Sequence, residues 1–474
     1  MTNRSHSLQR SSPLVLCIVA PFLTLLCLNG CHTTAPPDPA AEQAITEAIG
    51  PDVIVMFRTE GGPLDESESA DTLSLDEAVE RAVTTDPGLQ AALARVRIAL
   101  ADADQARLLP NPVLNIVLKW GAGTTVVEAS LAQDFVAALQ IPRRSSAADN
   151  RLREAAADAV TVALDIASDV QDAYVAAQAT DRLIPILEMR LSLLQKVAGV
   201  ARDRLEAGEG IRGDLTTLEA QRVELEVEIA DARLRQRQER LRLARLIGEP
   251  SGAAAWTLDS WTTPVPRTEV ESRWVELALA HRPEVQAITW QLAALGDEQA
   301  LLRLQPWEGA QAGIDAERDG EWIAGPALTL PLPMFDMGQA RRARLSAEQI
   351  EARHDLTLAK RKIVEEVRSA YEALAANAAN LDRIRGELIP LQQQRRQQAE
   401  DAYRAGQTDV TPLFLAEQDL RSTQAKAIEI ERATAIALIR LQRAVGGPGV
   451  IAATGVGSEG GEPITLESAA ALRN

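Results

Sequence analysis

Carboxylates, imidazoles, thiols and thioethers are the side chains that could do chemistry here, and their spacing argues against a reaction centre. His32, His281 and His354 lie far apart, with no cysteine partners and no spacing that would close around a metal ion. Glu365-Glu366 and similar acid pairs fall in helix-forming sequence, where they read as solvated faces rather than an acid–base couple. Met334 and Met337 are close neighbours, but Met56 and Met189 stand apart from them, so packing is a simpler role than copper binding. The sequence also lacks a Gly-rich phosphate loop. It therefore predicts no catalytic residue, no metal site and no resident cofactor.

One thiol has another chemistry. Arg4 and Arg10 open a basic leader, Pro13 to Leu28 is apolar, and the run ends in Leu28-Asn29-Gly30-Cys31. That ending resembles a bacterial lipoprotein box. The resemblance implies that residues 1–30 are a signal peptide and that Cys31 receives a covalent lipid after cleavage. His32 rather than Asp follows, so the usual inner-membrane retention signal is absent. Cys17 and Cys27 leave with the leader, so no intrachain disulfide can form. The formal net charge is −18, and loss of the two arginines takes it to −20. No basic stripe offsets that acid, which argues against nucleic acid as a partner. The mature chain has no apolar stretch of about 18 residues, so it has no membrane-spanning helix and could cross a bilayer only as a closed barrel.

The elements that would carry these groups are long. Residues 340–404 are rich in Ala, Leu, Glu, Gln and Arg, with only Gly386 and Pro390 as breakers. About 65 helical residues make a rod of about 95 Å, which suggests a coiled coil or helical tunnel. Gly406 suits the left-handed cap that ends it, and Pro412 restarts a second helix. An earlier stretch echoes this one. Gly208 maps on Gly406, Leu215 on Leu413, Glu219 on Glu417 and Gly248 on Gly446, all at an offset of about 198. Leu183-Ile-Pro185 and Leu388-Ile-Pro390 interrupt both long helices, and proline there predicts a kink.

Between the helices lie alternating runs. Leu114, Ile116, Leu118 and Trp120 share one face of a predicted strand, and Val127, Ala129 and Leu131 share that of the next. Ala310, Ala312, Ile314 and Ala316 follow in the second half, with a turn at Asp319-Gly320 and then Trp322, Ala324, Pro326, Leu328, Leu330 and Leu332. Each run is near the length of a tilted membrane strand, and Trp120 and Trp322 suit interfacial anchors. Pro326, Pro331 and Pro333 should weaken pairing in the fourth run. Val53 to Phe57 reads as a short strand in an otherwise poorly packing segment.

Helix pair, strand pair and long helical hairpin, all in duplicate, resemble the TolC-like outer-membrane efflux proteins over about residues 73–447. The most specific pieces are Tyr403-Arg-Ala-Gly406 through Glu417-Gln418, Leu205-Glu-Ala-Gly208 through Gln221, and Arg107-Leu-Leu-Pro110-Asn-Pro112. Pro331-Leu-Pro-Met-Phe335-Asp looks like the cation-efflux and related lipoprotein subgroups. The resemblance implies a mainly α fold with a membrane β-barrel: a trimeric α-barrel tunnel continuous with a 12-stranded barrel. The expected organisation is a lipidated linker at 31–72, a first repeat at 73–248 and a connection at 249–272. A second repeat follows at 273–447, then a flexible tail at 448–474. Within the repeats, strands are expected at about 113–135 and 310–334, and long hairpins at about 143–247 and 340–445.

The same resemblance implies a passive homotrimeric conduit in the outer membrane of a Gram-negative bacterium, lipid-anchored, with a periplasmic helical domain. Its tip turns, at Gly208 and Gly406, would meet a periplasmic adaptor and an inner-membrane efflux pump. In such proteins acids just past the second tip glycine narrow the entrance. Here Pro412 and Leu415 stand where acids are expected, so Asp214, Asp409 and Glu417 are the nearest candidates. A ring of them would attract cations; as cap or surface charges they would serve the helices alone. The competing class is a lipid-anchored periplasmic coiled-coil scaffold without a pore. It shares the helices but has no use for four membrane-length strands.

Overall fold

Helix formers and breakers alternate along the chain, and the backbone follows them. The computed structural model describes residues 40–50, 53–59, 72–121, 124–250, 254, 256–260, 270–408 and 410–454. In the first half, α1 is Ala40–Ile49, β1 Thr72–Leu73, α2 Leu75–Thr85, α3 Pro87–Arg107, β2 Val113–Gly121, β3 Thr124–Asp134, α4 Phe135–Glu206 and α5 Arg212–Leu246. In the second, β4 is Thr257–Leu258, α6 Glu271–His281, α7 Pro283–Leu301, β5 Gln311–Asp319 and β6 Glu321–Thr329. The chain then runs through α8 Gln339–Arg383, α9 Ile389–Arg404, α10 Thr411–Ala444 and α11 Pro448–Ala453. Apart from α1 and α11, each half is a two-residue strand, a helix pair, a strand pair and a long helical hairpin.

Local chemistry sets the boundaries. Ser74 Oγ accepts the Glu77 N–H at 3.1 Å and starts α2. The reciprocal half of that capping box is missing, because the Glu77 carboxylate pairs with Arg81 instead. Asp86 caps α3 by accepting from Gly88 and Leu89 at 2.7 and 3.1 Å, with Pro87 in the first turn. In the second half Pro283 holds the same place, but Arg282 replaces the acid and pairs with Glu284 and Glu366.

The 72-residue α4 is the spine. At 1.5 Å per residue it is about 108 Å long. Ala163, Val170, Ala177 and Ile184 are buried at intervals of one heptad, as are Ala173, Thr180 and Leu187 on the adjoining line. Small residues on the seam let neighbouring helices approach closely, so the interior is built with few aromatics. One cluster joins α1–α5, a second joins α6, α8, α10 and α11, and a third joins α4 to α5. The two halves are also tied by a parallel pairing of Leu73 with Leu258. Tyr174 sits beneath it, its hydroxyl donating to Leu73 O at 2.8 Å and accepting from the Asp259 N–H at 3.0 Å.

Several expectations need correction. Residues 40–49 are not linker: Ala41, Ile45, Ala48 and Ile49 bury one face of α1 in the first cluster. The segment after Gly447 is not wholly tail, since α11 buries Ile451 and only residues 455–474 lie outside the described ones. Gly447 and Gly449 permit this closure, because a Cβ there would stand 2.4 Å from Ala48 O and 1.8 Å from Glu47 O. Val53–Phe57 alternates in burial but joins no ladder; the Gln90 side chain bonds its backbone at Arg58 N and Met56 O, 2.8 and 3.2 Å away. Finally, α4 starts directly at Phe135 rather than near Arg143. Asp134 caps it by accepting the Ala137 N–H at 2.9 Å, and the helix runs through Pro142.

The sheet order is β2-β3-β5-β6, antiparallel throughout, with β3 of the first half beside β5 of the second. Gly313 permits that seam, as a Cβ there would stand 2.1 Å from Leu131 O. Contrary to the expected weakening at Pro326, β6 pairs in register with β5 through it; in keeping with that expectation, the strand ends at Thr329, before Pro331 and Pro333 and short of the predicted end near 334. Pro326 is tolerated on β6 because β6 is an edge strand of this chain.

Candidate functional site

The register sorts every strand residue onto one of two faces. Leu114, Leu131, Ile314 and Pro326 form one row, and Ile116, Ala129, Ala316 and Ala324 the next. This apolar face is uncovered: Leu114 is 63% exposed, Ile116 59%, Ile314 60% and Leu328 64%. Leaving such a surface in water would cost about 25 cal/mol for each Å² that could otherwise be buried. The opposite face carries Asn115, Lys119, Glu128, Ser130, Asp315 and Glu317. Lys119 is paired with Glu128 there, while Glu317 stands directly across from Glu128 in the ladder. The outer edges of β2 and β6 have no partner strand among the described residues. Trp120 and Trp322 both lie on the apolar face at the hairpin end, and the Arg318 guanidinium lies 6.0 Å from the Trp322 ring centre.

The two tip turns are built alike. Gly208 has φ +80° and Gly406 φ +69°. At the first, Gly208 N–H donates to Leu205 O and Glu209 N–H to Arg204 O, at 3.1 and 2.9 Å. At the second, Gly406 N–H donates to Tyr403 O and Gln407 N–H to Ala402 O, both at 3.0 Å. These are paired Schellman caps, which satisfy carbonyls at the helix end and need a left-handed residue. Gly248 and Gly446 close the other ends of the hairpins with the same bonding pattern.

Two of the three acids proposed for the entrance, Asp214 and Glu417, lie among the described residues. Asp214 is exposed in the first turn of α5. Glu417 is half-buried and its carboxylate accepts from Arg421 at 2.8 Å, with Arg396 3.7 Å away. Asp409 lies outside the described residues, as does Cys31. Among the described residues no group of three or more His, Cys, Asp and Glu stands close enough to hold a metal ion, and no helix is long and apolar enough to cross a membrane.

The prolines act differently from each other. The α4 helix runs unbroken through Pro185. Pro390 instead follows a π-helical turn, Ile384–Leu388, in which the Ile389 N–H reaches back five residues to Ile384 O. Beside that turn is a cluster that the sequence did not announce. Glu431 of α10 is 3% exposed and accepts from Arg182 of α4 and Arg385 of the π turn, both at 2.6 Å. One buried carboxylate thus holds both long hairpins. The available signal was an acid set among Ala427, Ile428, Ala435 and Ile439 on the buried face of α10. Higher up the bundle Arg443 donates to Asp165 at 2.7 Å and Glu284 at 2.8 Å, which raises the arginine further and holds the Glu284 carboxyl down against the opposing effect of burial.

No family model matches the chain. It is 23% identical over 398 residues to the cobalt-zinc-cadmium resistance protein CzcC of Cupriavidus metallidurans, across 81% of this chain and 92% of that protein. Its structure is similar to the outer membrane protein VceC of Vibrio cholerae, with a TM-score of 0.64 and 19% identity over 79% of this chain and 96% of the other. It is similar also to the open state of the MtrE outer membrane channel of Neisseria gonorrhoeae, with a TM-score of 0.62 and 17% identity over 79% and 89%. The chain therefore has the TolC-like outer-membrane channel fold, helical hairpins plus a β-domain.

Proposed function

We propose that this chain is the outer-membrane conduit of a tripartite efflux system. Three copies would join edge to edge, β2 of one to β6 of the next, and close a 12-stranded barrel. The observation that carries this reading is the four-stranded sheet: mostly apolar and uncovered on one face, carrying the acids and Lys119 among smaller apolar residues on the other, with both edges unpaired among the described residues. A sheet of this kind is stable when the apolar face meets lipid and the edges meet more strands. A scaffold without a pore leaves that face unexplained. The hairpins, about 100 Å long, would line a passage through the periplasm. The Gly208 and Gly406 turns would meet the adaptor and the inner-membrane pump. The conduit performs no bond chemistry; the pump supplies the driving force.

Cations suit this passage as cargo. Asp315, Glu317 and Glu128 face the inside of such a barrel, with Lys119 paired to Glu128, and acids lining a pore favour cations. The metal-resistance name of CzcC points the same way. Cys31, lipidated, would add an anchor in the outer membrane.

The deciding measurement is the native mass and shape of the detergent-extracted protein, by light scattering and electron microscopy. A trimeric rod well over 100 Å long with a detergent belt at one end is expected. A monomer released on removal of its lipid, with no belt, would falsify the conduit and leave the scaffold.

A further inference from the structure

The stretch that joins β6 to α8 is more apolar than a surface connection needs to be. From Trp322 to Phe335 there is no ionisable residue. Only the part up to Thr329 is strand. Beyond it Leu330 is 46% exposed, Leu332 78%, Met334 74% and Phe335 91%. Leu330 and Leu332 keep the alternation of Leu328, so they prolong the apolar face of the sheet past its ladder. They do so at the end opposite Trp120 and Trp322, since Thr329 pairs with Gln311 while Trp322 pairs with Arg318 beside the hairpin turn.

Length places this segment. Nine strand residues, rising about 3.3 Å each and tilted about 40°, span about 23 Å, close to the apolar band of about 25 Å in outer-membrane barrels. Residues 330–335 therefore begin where the hydrocarbon ends. The backbone is adapted to a place poor in hydrogen-bond partners. Pro331 and Pro333 have no N–H to satisfy, and the Met334 N–H bends back to Leu332 O at 2.8 Å. Charge then returns abruptly. Asp336 accepts the Gly338 N–H at 2.8 Å and pairs with Arg341 at 2.6 Å, and exposed Arg342 follows. Apolar side chains backed by arginines match the boundary between acyl chains and anionic phosphate headgroups.

We propose that Leu330–Phe335 is a membrane foot, with Leu332, Met334 and Phe335 seated in the phospholipid of the periplasmic leaflet and Arg341 and Arg342 facing its phosphates. The proposal rests on the reading that the apolar face of the sheet is lipid-facing. It sets the depth of the barrel in the membrane by a belt on the side away from the tryptophans.

Photo-crosslinking in cells tests it. The photoreactive residue p-benzoylphenylalanine is placed at Phe335 in one full-length chain and at Leu328 in another, and the denatured products are weighed. A mass gain of one phospholipid at both positions is expected. Phospholipid at Leu328 with a crosslinked dimer at Phe335 means that a second copy covers the segment; the foot fails and the lipid-facing sheet stands. Lipopolysaccharide at Phe335 puts the segment in the wrong leaflet and also overturns the foot. No lipid at either position removes both readings. A Phe335→Trp chain should keep wild-type amounts in the membrane and Phe335→Asp should lose most of them, whereas equal amounts of the two would also count against the foot.

Discussion

At the scale of single residues, glycines have different jobs. A Cβ on Gly406 meets nothing within 4 Å, so Gly406→Val costs only the left-handed backbone, about 1–2 kcal/mol. The variant should still assemble but dock its partners poorly, and normal export at normal protein levels would count against the tip assignment. Gly449→Ala is a different case, because its Cβ would lie 1.8 Å from Glu47 O. It should part α11 from α1 and lower the melting temperature more than Gly406→Ala does, despite an ordinary φ. Asp172 offers a pH test. Burial pushes its carboxyl above the usual carboxylate range, more than Arg440 and Arg242 pull it down. A raised folded value means that the folded state holds its proton more tightly than the unfolded chain. Stability from this group is therefore lost as pH rises through the folded value. Asp172→Asn should raise the melting temperature at pH about 7 and change it little at pH about 4; the reverse pattern would sink this account.

At the scale of elements, the π turn and Glu431 form one junction. Glu431→Gln keeps the shape but leaves Arg182 and Arg385 without the charge between them. Both arginines are more than a third exposed and can turn to water, so the loss should be about 1–2 kcal/mol rather than that of a fully buried pair. Amide hydrogen exchange should quicken at residues 384–389 and stay unchanged at the Gly406 turn. Deleting Gly386 should turn the π turn into ordinary α-helix and keep both flanks in phase, whereas deleting Ala376 should shift everything after it by about 100°. Thermal melts would separate the two, and equal damage would mean that the turn is not an inserted residue. The sequence made some of this legible. Gly208 and Gly406 could be read because a left-handed cap demands glycine, and the strands could be read because their alternation has a period of two. The junction could not, because its partners come from 46 and 249 residues away. Helix α1 was hidden by its length: ten residues between proline-rich flanks make a weak pattern until α4 and α11 are there to cover it.

At the scale of the whole molecule, the two faces of the sheet should tolerate change unequally. Ile116→Arg puts a charge on the uncovered apolar face near mid-strand and should cost about 2–4 kcal/mol in lipid. Asn115→Arg, one residue away on the polar face, should cost little and weaken any preference for cations. The amount of trimer recovered from membranes would measure the first, and single-channel selectivity the second. The seam between β3 and β5 has a longer consequence. It joins the two unlike halves of the chain in one sheet, so every copy brings both to the assembly. One half has the π turn before Pro390, the other has an uninterrupted helix through Pro185, and the Glu431 clasp ties the two together. In a ring of three such chains, a change in either half falls at every second hairpin. Evolution can then loosen alternate staves of the cask while those between keep it round.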